Sequence, residues 1–84
     1  MSELSKLPNV GKVLEKNLAQ AGITTPEELR AAGTREAFIR IRAAADPGAC
    51  LHMLYGLEGA IEGIRDTYLS DDTKNDLKAF FKNL

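Results

Sequence analysis

The sequence predicts an all-α domain, a compact bundle of about five helices, and three observations carry that prediction. No segment alternates apolar and polar residues long enough to read as a strand. Apolar residues instead recur three and four apart over most of the chain, the spacing of one helix face. Start and stop residues punctuate it at short intervals, among them Thr25-Pro26 and Ser70-Asp71 as starts and Gly22 and Gly33 as stops.

Ser2 to Lys6 suit one helical turn capped by Ser2, with Leu4 and Leu7 facing inward. Leu7-Pro8-Asn9-Val10-Gly11-Lys12 follows, a turn that opens the first full helix. Val10, Val13, Leu14, Leu18 and Ala21 fall at helical spacing, so all five are expected on the buried side. Asn and Gly tolerate the unusual backbone angles of such a loop. The start of the helix can then present amide hydrogens to an anion. Gly22 closes the helix. Thr25-Pro26-Glu27-Glu28 is a capping box with proline at the first helical position, and Gly33 keeps that second helix short.

Thr34 is the expected cap of a third helix, Arg35 to about Ala45. Its stripe is Ala37, Phe38, Ile41 and Ala45, with Arg35, Arg40 and Arg42 turned away. Asp46-Pro47-Gly48 reads as a break, Asp46 capping and Pro47 opening a long helix to about Asp66. That helix is apolar around much of its circumference, as a central helix would be. Gly56, Gly59 and Gly63, with Ala60, line nearly one side of it. Each interior glycine costs about 1 kcal/mol against alanine, so close approach of another element is expected to offset the cost. The same small-residue side would otherwise serve a homodimer contact. Ser70 with Asp71 and Asp72 starts the last helix, whose buried stripe is Leu77, Phe80, Phe81 and Leu84.

The chain's 84 residues suit a single domain spanning 1–84. One cysteine, Cys50, cannot form an intrachain disulfide, and no apolar run approaches a membrane span. With no secretory pattern at Met1-Ser2-Glu3, a cytoplasmic protein is expected, without membrane partners. Net charge is −1, which counts against strong nucleic-acid binding. Residues 1–42 carry seven basic and five acidic side chains, and residues 43–84 carry four and seven. The two halves are therefore modestly opposite in sign.

Nothing in the sequence argues for an enzyme, a cofactor or a metal. Cys50 and His52 are two apart on an expected helix, which puts them on different faces and defeats both a metal site and a nucleophile pair. Cys50 is better read as a small buried hydrophobe. Glu58, Glu62 and Asp66, spaced by four, read as a solvated acidic face. Phosphate-loop and nucleophile-elbow motifs are missing.

The Pro-x-apolar-Gly loop, with a following helix that ends apolar-Ala-Gly-Ile, resembles the helix-hairpin-helix motif. The resemblance implies loop amides that hold a nucleic-acid phosphate. Asn9 stands where that motif usually has its first glycine, and Lys12 and Lys16 would flank the anion. Asp46-Pro47-Gly48-Ala49-Cys50 can be laid over Leu7-Pro8-Asn9-Val10-Gly11, which would make a tandem arrangement of helix-hairpin-helix or SAM-like type. In that register His52 opposes Val13 and Leu51 opposes Lys12.

A wider resemblance rests on residues in order. They are Leu7-Pro8-Asn9-Val10-Gly11, Leu14-Glu15, Ala21-Gly22-Ile23, Thr25-Pro26-Glu27-Glu28-Leu29, Glu36-Ala37-Phe38, and the run Cys50 to Ala60. Together they resemble the C-terminal domain of the TfoX/Sxy family of bacterial competence regulators, from about Leu4 to Leu84. The resemblance implies a regulatory module that helps switch on DNA-uptake genes together with a transcription activator. Members of that family carry a further N-terminal domain, so the chain is expected to be a stand-alone version or a fragment. Its expected contact surface is the hairpin, Pro8, Asn9, Val10, Gly11 and Lys12, plus Lys16. Its expected partners are weakly held duplex DNA or a transcription-regulator protein. The alternative is a protein-interaction or homodimerising domain that touches no nucleic acid.

Overall fold

A short 3-10 turn, Glu3–Lys6, opens the computed structural model, which describes residues 3–84. The expected cap Ser2 lies outside the described residues. Leu4 is fully buried, and a loop of five residues leads from the turn to α1, Lys12–Gln20. α2 (Pro26–Ala32), α3 (Thr34–Ala44), α4 (Leu51–Glu62) and α5 (Asp71–Lys82) follow, with a second 3-10 turn at Asp66–Tyr68. Among the described residues there is no strand.

α3 and α4 form the central pair. α1 and α2 pack on α3, while α5 and the second 3-10 turn pack on α4. Phe38, Ile41, Leu54 and Leu57 meet Leu18, Ile23 and Leu29 in a fully buried core. Phe81 of α5 closes it edge-on to Phe38, with ring centroids 6.0 Å apart. Arg35 lies over the neighbouring Phe80 ring at 5.5 Å.

Local rules account for most helix ends. The C-terminus of α1 is a Schellman turn: Gly22 has φ +83°, its N–H donates to Ala19, and Ile23 N–H donates to Leu18 at 2.8 Å. Ile23 then drops into the core. Thr25 Oγ1 accepts from Glu28 N–H at 3.1 Å, and the Glu28 carboxylate accepts from the Thr24 N–H and hydroxyl, each at 2.8 Å. Ser70 caps α5 by accepting from Thr73 N–H.

The hydrogen bonds from Thr24 hold the Glu28 carboxyl below its ordinary value of 4.5. A depressed acid contributes stability above its unfolded value and loses it as pH falls through the folded value. Glu28→Gln is therefore expected to lower the melting temperature slightly at neutral pH. The difference should shrink as pH falls below 4.5 and the Glu28 carboxyl takes up its proton. Melting curves of the two proteins at neutral and acidic pH check this.

Several expectations are corrected. Gly33, at φ +83°, and not Thr34, occupies the position before α3. Thr34 is buried and donates its hydroxyl proton to Glu58 at 2.7 Å. α4 begins four residues later than Pro47, because Asp46 spends its carboxylate on Gly48 N–H in a separate turn. It ends at Glu62, where Gly63 turns left-handed at φ +80° and Ile64 N–H returns to Gly59. The Glu58–Glu62–Asp66 ladder is thereby broken, since Asp66 leaves the helix. Glu62 hydrogen-bonds to Glu58, which raises its carboxyl above the ordinary value. Cys50 is exposed, not buried. Val13 and Leu84 are 73% and 51% exposed, so neither belongs to the core stripe proposed for it.

Candidate paired-hairpin cleft

Asn9 organises the region around the start of α1. It is the one residue other than glycine with positive φ among the described residues, at +68°. That conformation costs most residues 1–2 kcal/mol, and Asn bears it best. Its side chain explains why the loop holds it. Asn9 Nδ2 donates to Ile64 C=O at 3.0 Å and to Gly56 C=O at 3.3 Å, and Asn9 Oδ1 accepts from Asp66 N–H at 3.2 Å. One amide thus satisfies backbone groups where α4 has unwound and the chain turns toward α5.

The glycines of α4 make room for this amide. A Cβ on Gly56 would lie 3.6 Å from Asn9 Cβ. One on Gly59 would lie 2.5 Å from Asn9 Nδ2 and 2.7 Å from Ile64 O. Gly56, Gly59 and Ala60 are buried. The close neighbour of Gly56 is Asn9, and those of Gly59 are Asn9 and the Ile64 and Asp66 backbone, not another α-helix. Gly63 is apart from them, exposed and spent on the left-handed turn. That side of α4 is occupied within the chain.

The two turns laid over each other in the sequence have matching geometry at their helix ends. Val10 N–H donates to Leu7 C=O at 3.4 Å, and thirty-nine residues on Ala49 N–H donates to Asp46 C=O at 3.1 Å. Val10 and Ala49 are both buried. Gly11 and Cys50 each stand extended before a helix, at φ −92° and −100°, and neither helix start has a side-chain cap. The match fails at the turn centre, where Asn9 is left-handed and Gly48 is not.

Both helix starts open on one cleft of about 550 Å³. Gly11, Lys12, Val13 and Leu14 line it from α1, and Cys50, His52, Met53 and Gly56 from α4, with Asn9, Arg65 and Asp66 completing it. His52 Nδ1 lies 3.6 Å from Asp66 Oδ2, an ion pair when His52 is protonated. The Asp66 side chain is 17% exposed, while that of His52 is 83% exposed. Lys12 and Arg65 therefore face a cleft whose one lining carboxylate already has a neighbour.

Of the hairpin residues expected to bind, Asn9, Gly11 and Lys12 line the cleft. Val10 is turned into the core, Pro8 is half-buried, and Lys16 is exposed a turn further along α1, outside the cleft lining. Arg65, His52 and Met53 are additions. The overlay of the two turns contained the signal for His52, because it places His52 opposite Val13. Arg65 had no such signal, since it reaches the cleft only through the unwinding after Glu62. Among the described residues no three His, Cys, Asp or Glu side chains gather as a metal site. No described helix is long and apolar enough to cross a membrane.

The result is an all-helical domain in which two helix starts meet at one cleft edged by Lys12 and Arg65. The chain belongs to the TfoX C-terminal domain family, whose model matches residues 1–81. Two crystal structures of Listeria monocytogenes proteins share the fold. The triclinic form of an uncharacterised protein has 52% identity and a TM-score of 0.88, covering 92% of this chain and 86% of that one. The tetragonal form of a protein of unknown function has 49% identity and a TM-score of 0.92, covering 96% and 98%. No curated protein matches the chain.

Proposed function

We propose that this domain is a non-enzymatic regulatory binding module that receives an anionic group of its partner at the paired helix starts. The observation that carries the reading is the convergence of the α1 and α4 starts, both without side-chain caps, on a cleft edged by Lys12 and Arg65. Unpaired amides at a helix start and the positive end of its dipole favour an anion, and two such ends add. Family membership supports a regulatory role. A nucleic-acid phosphate and a partner's carboxylate both satisfy this chemistry.

Lys12→Glu together with Lys16→Glu is expected to weaken binding to duplex DNA at low salt, measured by mobility shift. Each phosphate contact contributes about −0.9 to the slope of log affinity against log salt. Lys12, Lys16, Arg65 and His52 together would therefore give a slope no steeper than about −4. DNA binding that is equally tight in the double variant, or a much steeper slope, removes the hairpin from the mechanism.

A further inference from the structure

We propose that the cleft between the starts of α1 and α4 seats a short segment of a partner protein in which an apolar side chain is flanked by carboxylates. This rests on the reading above and names the partner's chemistry. The apolar floor, more than the helix ends, decides the class of occupant. Val13 stands 73% exposed at the first turn of α1, where a solvated helix start ordinarily carries a polar side chain. Met53 is half-buried opposite it, Leu14 lies beneath, and all three line the same cleft.

A phosphate backbone brought over that floor would lose hydration and gain nothing from Val13 or Met53. An apolar side chain placed there is removed from water together with both of them. Charge argues the same way. The rim offers Lys12, Arg65 and His52, while the one lining acid, Asp66, sits against His52. The chain as a whole carries −1, so its overall field does not favour a long polyanion, and a local cationic rim suits a few carboxylates at close range. The cleft opens to solvent and holds about 550 Å³, room for one anchoring side chain with its flanking groups at the rim.

The test is an amide-shift titration of the isotope-labelled full chain with three probes. The first is a pool of short capped peptides built from Asp, Glu, Leu and Phe. The second is a capped oligo-glutamate of the same length, and the third a short DNA duplex. The pool is expected to give saturable shifts at Gly11, Lys12, Val13, Met53 and Arg65, with an affinity roughly ten-fold above that of oligo-glutamate. Val13→Asn, at an exposed position and therefore folded, should abolish that preference, and Arg65→Gln should weaken both peptides. If oligo-glutamate or the duplex binds as tightly as the pool, the apolar-acidic segment is overturned and the anion-binding reading stands. If no probe shifts these amides, both are overturned.

Discussion

Asn9→Ala is expected to lower the unfolding free energy by about 3 kcal/mol. The variant loses the two firm hydrogen bonds to Ile64 C=O and from Asp66 N–H, and the longer one to Gly56 C=O. Each is worth about 1 kcal/mol net, and more where a part-buried backbone group is left without a partner. Alanine also bears the φ of +68° poorly. Asn9→Gly separates the two causes, because it keeps the backbone angle and loses only the side chain. It should cost about 1 kcal/mol less than alanine. Asn9→Asp preserves shape but points a carboxylate at the Gly56 and Ile64 carbonyls, and it should be at least as damaging as alanine. Urea denaturation of the three variants ranks them. A loss under about 0.5 kcal/mol for Asn9→Ala would show that the amide does not hold the hairpin to α4.

Gly59→Ala is expected to destabilise by about 2 kcal/mol, against the usual gain of about 1 kcal/mol when alanine replaces glycine inside a helix. The added Cβ would meet Asn9 Nδ2 at 2.5 Å and the Ile64 carbonyl at 2.7 Å. The second contact is backbone, which cannot swing aside, and Ile64 N–H is itself bonded to Gly59 C=O at 2.9 Å. Gly56→Ala is the matched control. Its Cβ makes an ordinary 3.6 Å contact with Asn9 Cβ, so the helix propensity gain should survive, leaving the variant neutral or stabilised by up to about 1 kcal/mol. Thermal melts should place Gly59→Ala below the parent protein and Gly56→Ala level with it or above. Equal shifts would mean that the loop gives way at Gly59 as easily as at Gly56.

These two sites explain where sequence reasoning succeeded and where it stopped. The glycines of α4 were legible as places of close approach, because an interior glycine carries a cost that something must offset. What approaches was not legible. The sequence pattern suggests another helix or a second molecule, whereas the neighbours are an amide from a loop some fifty residues away and, at Gly59, the backbone that follows α4. Asn9 was legible as a residue able to take unusual backbone angles. Its commitment to α4 was invisible, because in isolation an Asn in a phosphate-type loop and an Asn that staples a loop look alike. Val13 followed the helical period of its neighbours and still proved exposed, because it falls on the side of α1 that lines the cleft.

Taken alone, the sequence determined the helical class, the family resemblance, and those helix ends whose signals act within about five residues. The Thr25 box, the Gly22 turn and the Ser70 cap are of this kind, because the groups they satisfy belong to the same turn. Tertiary structure alone decided that Thr34 serves Glu58 instead of its own helix. It also brought Arg65, Met53 and His52 to the cleft edged by Lys12. Those outcomes depend on which distant segments lie against each other, and side-chain identity does not encode direction until packing has closed every alternative.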